Sequence, residues 1–123
     1  MRTPSGDHKG RRAELFAELL LRLKGYRILA RRFRSGQGEV DLIAARGRSL
    51  AFIEVKFRIS RDAAIEAVGG RQRRRIQAAA NAFLAHHPRA AEMNCRFDVI
   101  LVTRSGLPRH ILNAWSASDD NGE

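Results

Sequence analysis

Two acids and one amine lie close together in the middle of a chain that otherwise favours arginine. In GEVDLIAARGRSLAFIEVKF, residues 38–57, Asp41 and Glu54 flank Gly47-Arg48, a Gly-X pair suited to a two-residue hairpin with a primed turn. With the turn there, Arg46 faces Ser49, and counting outward sets Asp41 across from Glu54. Facing side chains on antiparallel strands have Cβ atoms about 4.5–5.5 Å apart, and like charges at that distance repel, so something positive belongs between them. Strand alternation puts Leu50, Phe52, Glu54 and Lys56 on one face and Ala51, Ile53, Val55 and Phe57 on the other. Lys56 is therefore on the carboxylates' side. Two hard oxygen donors with room for water suit Mg²⁺ or Mn²⁺, with a substrate phosphate completing the shell. A metal plus an amine that can position water is equipment for phosphodiester hydrolysis. The competing reading is a solvent-facing ion pair worth under about 1 kcal/mol. Against it, only residues 9, 24 and 56 among 23 cations are Lys, and a compact, titratable amine appears where this chain's habit is Arg.

The substrate class follows from charge. Against 23 Lys plus Arg stand 13 Asp plus Glu, a formal charge of +10, whose field favours polyanions, nucleic acid above all. Arginine enrichment for solubility is the bland alternative. The cations are spread along the chain instead of lining one amphipathic helix, which argues against a membrane surface. Arg71, Arg73, Arg74 and Arg75 crowd the start of an expected helix, where the positive dipole end disfavours cations. Phosphate contact would offset that cost, and a solvated Arg run is the other reading. Gly36-Gln37-Gly38 lacks the Lys-Ser/Thr ending of a phosphate loop, and no alternating aromatics suggest a stacking platform. Cys95 is the single cysteine, so an internal disulfide and a Cys-based metal cluster are both excluded. With residues 14–23 too short to span a bilayer and no secretory pattern ahead of them, a cytoplasmic location is expected. His8, His86, His87 and His110 do not fall at helical metal-ligand spacing and are assigned no metal.

The elements that must hold the site can be read from periodicity. At 123 residues the chain is one domain. Residues 1–9 and 117–123 read as flexible ends around a domain over 10–116. Ala13, Phe16, Leu20 and Leu23 recur at helical spacing and Gly25 caps, giving a first helix from about Arg11 to Lys24. Strands follow at 26–33, 39–45 and 50–57. After a loop through Ser60 and Asp62, a second helix begins near Gly70, carries Ile76, Ala79, Ala80, Phe83 and Leu84 inward, and stops at His87-Pro88. Residues 96–103 are a near-continuous apolar strand, as expected of one covered on both faces, and 111–115 a short last one. The order implies an α/β fold. It is a helix, a three-stranded antiparallel meander, a crossover helix and a parallel strand, in a mixed sheet flanked by helices.

Glu14 on the first helix, Gly38-Glu39-Val40-Asp41, Phe52-Ile53-Glu54-Val55-Lys56, Arg71-Gln72 opening the second helix, and Arg96-Phe97-Asp98-Val99 together resemble the YraN-like family of small bacterial proteins. That family is similar to archaeal Holliday-junction resolvases, within the restriction-endonuclease-like PD-(D/E)xK nuclease superfamily. The resemblance covers roughly Gly10 to Trp115, with Val40 standing where the superfamily motif has Pro. It implies that Asp41, Glu54 and the Val55 carbonyl ligate the metal, that Lys56 serves the attacking water, that Glu14 reaches the same centre directly or through water, and that Gln72 supports it. The residues themselves read more openly. Glu18 can pair with Arg22 one turn on, so an exposed helix face accounts for Glu14 and Glu18 alike. Gln72 precedes the inward stripe at Ile76, and a buried amide there needs a partner. Asp98 reads as structural, paired with an Arg. The expected function is metal-dependent cleavage of DNA, duplex or branched, with a two-fold dimer called for if both strands are cut symmetrically. The rival readings are a non-catalytic nucleic-acid-binding module on the same fold and a scaffold that recruits a protein partner.

Overall fold

A computed structural model of the chain describes residues 4–58, 69–104 and 107–115, with backbone alone for 4–9. Helix α1 (Pro4–Leu23) leads into strands β1 (Arg27–Ser35), β2 (Gly38–Arg46) and β3 (Ser49–Arg58). Helix α2 (Gly70–His86) crosses over to β4 (Asn94–Thr103), and β5 (Arg109–Trp115) closes the chain. The sheet order is β1-β2-β3-β4-β5, so each strand lies beside its predecessor. Only the β3–β4 pair is parallel, from Ser49↔Asn94 to Arg58↔Thr103; the other three pairs are antiparallel. This is the expected mixed α/β sheet, and the parallel pair sits where the helical crossover requires it. The Ser60–Asp62 loop, residues 1–3 and the C-terminal segment 117–123 lie outside the described residues.

The two helices cover opposite faces. Under α2, Ile76, Ala79, Ala80 and Phe83 pack on Val40, Ile43, Leu50, Phe52 and Val99. Under α1, Ala13, Ala17 and Leu21 pack on Leu42, Ala44, Ala51, Ile53, Ile100 and Val102. Strand β4 accordingly has Val99 to Val102 all buried. Leu50 and Phe52 face α2 while Ala51 and Ile53 face α1, as alternation requires.

Helix α1 departs from the sequence expectation in two ways. It starts at Pro4 and not near Arg11, so the expected boundary after residue 9 falls inside a helix. Pro suits the first helical position, where its fixed φ is already helical and no N–H is needed. Its buried line is Ala13-Ala17-Leu21 in place of Ala13-Phe16-Leu20-Leu23, because small side chains let the helix axis lie close to the sheet. Phe16 and Leu23 are left half or more exposed. The C-terminus is as anticipated. Gly25 has φ +90, its N–H donates to the Arg22 carbonyl, and the Tyr26 N–H donates to that of Leu21, the two bonds of a Schellman cap.

Gly38 has a different use from the phosphate loop considered for it. A Cβ there would stand 2.4 Å from the Ala79 backbone nitrogen, so α2 rests directly on the β2 backbone. This contact sets the height of α2 over the sheet and, with it, the position of Gln72.

Candidate functional site

The hairpin turn behaves as its residues suggest. Gly47 has φ +59, and the ladder runs from Arg46↔Ser49 to Leu42↔Ile53 without a slip. One more step would pair Asp41 with Glu54, but the strands part there. Alternation also shifts at this level: Val40 and Ile43, three residues apart, both face α2, as do Ala30 and Phe33 on the neighbouring strand. Arg32, between the latter two, has φ +50. Beyond the end of the ladder the Val55 N–H donates instead to the Asp41 carboxylate, Oδ2 at 2.7 Å. A side chain thus replaces the β2 backbone as partner. Because the N–H and C=O of one strand residue leave on the same edge, the Val55 carbonyl faces this gap as well.

Glu54 is buried, 5% exposed. Its Oε2 accepts from Lys56 Nζ at 3.0 Å and from Gln72 Nε2 at 3.1 Å, and its carboxyl is also hydrogen-bonded with that of Asp41. The solvent-facing ion pair weighed from sequence is not what forms: the Lys56 side chain is 16% exposed and that of Glu54 6%. Burial and then the negative charge of Glu54 push the Asp41 carboxyl up to about 8, against the opposing pull of the Val55 N–H. Glu14 adds a smaller push in the same direction. Two acids that cannot comfortably ionise together, with one lysine beside them, form a place that favours a cation.

Glu14 reaches toward this gap from α1, and its carboxylate receives Arg32 Nε at 2.9 Å. Among the described residues no group of three or more His, Cys, Asp or Glu is close enough to hold a metal. Asp41 and Glu54 are thus the acidic donors at hand, with backbone and water to complete any shell, which is the donor set Mg²⁺ and Mn²⁺ accept. Of the arginines opening α2, Arg71 and Arg74 are exposed. Arg75 bonds Glu39 at 2.8 Å, and Arg73 lies over the Trp115 ring at 5.8 Å from its centroid. Glu18, weighed alongside Glu14, takes both Arg22 (3.1 Å) and Arg31 (Nε 2.9 Å).

Asp98 is structural, as expected, with more partners than one Arg. Arg96 Nε donates to both oxygens at 3.0 Å, His110 Nε2 lies 2.7 Å from Oδ2, and the Asn113 N–H donates at 2.8 Å. Burial alone would raise this carboxyl, but the His110, Asn113 and Arg96 hydrogen bonds together hold it below the usual carboxylate range. Lys24 Nζ approaches His110 Nδ1 at 2.7 Å, and Arg96 also bonds the Tyr26 hydroxyl. This cluster pins β5 and the end of α1 to β4. The roles of His110, Lys24 and Arg32 were not visible in the sequence.

The fold and site define an α/β protein with a five-stranded mixed sheet and a pair of carboxylates, Glu54 buried and Asp41 partly so, backed by a lysine, where its central antiparallel strands part. The chain belongs to the uncharacterised protein family UPF0102, whose sequence profile matches residues 13–102. That span contains Glu14, Asp41, Glu54, Lys56 and Gln72. UPF0102 proteins of Parvibaculum lavamentivorans (51% identical, 86% of this chain and 80% of the relative) and Paramagnetospirillum magneticum (50%, 90% and 89%) are similar along most of both chains. The one from Nitrobacter winogradskyi is 50% identical over 90% of this chain and 94% of its own.

Proposed function

We propose that this chain is a Mg²⁺- or Mn²⁺-dependent endonuclease acting on DNA, duplex or branched, on a restriction-endonuclease-like form of the α/β sheet. One observation carries the reading. The partly buried Asp41 and the buried Glu54 are held together in a gap where desolvation and mutual repulsion raise the Asp41 carboxyl to about 8, with Lys56 Nζ 3.0 Å from Glu54. In this reading Asp41, Glu54 and the Val55 carbonyl hold the ion, which when bound supplies Lewis-acid polarisation of the phosphate and a more acidic water. Gln72 keeps Glu54 oriented through Oε2. Lys56, anchored on the same oxygen, places an ammonium where it can orient a water and offset charge gathering on the phosphate. The formal charge of +10 and the exposed Arg71 and Arg74 support a polyanionic substrate.

The test is cleavage of a fluorescent duplex and a four-way junction by the purified chain, with Mg²⁺ or Mn²⁺ against chelator. Metal-dependent cutting is expected, lost in Asp41→Asn, Glu54→Gln and Lys56→Ala while thermal unfolding stays cooperative. DNA binding that is unchanged in all three variants, with neither substrate cut by the wild type, would instead select the non-catalytic binding module.

A further inference from the structure

Helix α1 has a second apolar line beside the one the core buries, and only Leu20 of it packs against that core. Phe16, Leu19, Leu20 and Leu23 recur at the spacing of one helical face, and Phe16, Leu19 and Leu23 are 50%, 54% and 77% exposed. Scattered exposed leucines are ordinary, but a contiguous apolar strip marks an interaction surface. This strip is one wall of a trough of about 760 Å³. Phe57, Val102 and Leu107, the last 90% exposed, also line it. Its lining runs along α1 from Arg12 to Leu23, a stretch that can accept an amphipathic helix laid beside it.

Charge decides among the occupants. Arg12 and Arg104 line the trough, and no acidic side chain does so among the described residues. A second copy would bring the same arginines, on a chain of +10, against their counterparts, a like-charge juxtaposition that opposes docking. A bilayer surface cannot follow the trough in to Phe57 and Val102. An acidic amphipathic helix satisfies both the apolar walls and the basic rim.

We propose that this trough is a docking site for an acidic amphipathic helical segment of another protein, independently of what the carboxylate site does. The full-length chain with a photoreactive benzophenone side chain in place of Leu19 is irradiated in bacterial cells, and the crosslinked peptide is sequenced. The expected product is one predominant protein joined through an acidic segment with apolar residues at i, i+3 or i+4, and i+7. A synthetic peptide of that segment should bind the wild-type chain in a salt-sensitive way. It should bind roughly tenfold or more weakly to the Arg12→Glu, Arg104→Glu double variant and to Leu19→Ser. Leu19 lies outside both cores, so its variant should unfold at the wild-type temperature; Leu23→Ser serves if it does not. A crosslink to a second copy of this chain, to lipid, to a basic or neutral segment, or to nothing would overturn the proposal. So would peptide affinity indifferent to the charge reversal.

Discussion

Ionising Asp41 in the metal-free protein puts a second negative charge beside the buried Glu54, and the consequence for stability has a definite sign. The folded chain holds the Asp41 proton until about pH 8, whereas an unfolded carboxyl releases it near pH ~3.9. The folded state therefore binds more protons across that interval, so this group's stabilisation is complete below about pH 4 and is lost as pH rises toward 8. Metal-free protein should lose roughly 2–4 kcal/mol of unfolding free energy between pH 5 and 8 in denaturant titrations. Asp41→Asn should flatten that slope. Adding Mg²⁺ or Mn²⁺ should raise the melting temperature more at pH 8 than at pH 5, where the proton competes for the same oxygen. Lys56 and Gln72 share Glu54 Oε2 but should separate kinetically. If the chain cleaves DNA as proposed, Lys56→Ala should lower single-turnover rates roughly 100- to 10,000-fold, as for a lost proton-handling group. Gln72→Ala should act through metal affinity, by about 10- to 100-fold, and be partly rescued at high metal concentration.

At the scale of elements, the contact most exposed to a single change is Gly38 against α2. Gly38→Ala would drive a Cβ into the Ala78 and Ala79 backbone at 2.4–2.9 Å, where no rotamer can relieve it. A cost of about 3 kcal/mol is expected, read as a lower urea midpoint at unchanged m-value, with weakened metal binding as α2 lifts and carries Gln72 away. Most of the elements were legible from periodicity, and the register of β2 and β3 was too, because a two-residue turn leaves no slack between Arg46 and Ser49. That same arithmetic brought Asp41 beside Glu54. The rest was hidden for physical reasons. The inward face of α1 was misread because Phe16 and Leu23 outweigh Ala17 in any hydrophobic count, whereas close packing on a sheet rewards the smaller side chain. The parting of β2 from β3 depends on a shift in strand phase shared with β1, and nothing in the residue type of Arg32 announces its φ of +50. The Asp98 cluster joins Lys24 to His110 across 86 positions, a contact no local pattern encodes.

For the molecule as a whole, if the chain binds DNA as proposed, the excess of arginine should govern how it does so. Arg71 and Arg74 are exposed at the start of α2, while Arg75 is engaged by Glu39. If both reach phosphates, Arg71→Ala with Arg74→Ala should reduce the slope of log affinity against log salt by about 2, whereas Arg75→Ala should change it by less. Fluorescence anisotropy at several ionic strengths separates these outcomes. The neighbour-to-neighbour strand order also leaves β1 as a terminal strand, its outer backbone donors and acceptors not engaged by another strand of the sheet. Such a rim is a template for fibrous stacking between molecules. Here it carries Arg27, Arg31, Arg32 and Arg34, and it is bent at Arg32. Long charged side chains on a crooked rim, three of them held by the chain's own Glu18, Glu14 and Glu39, deny a second copy a flat ladder to join and so guard the fold against polymerising on itself.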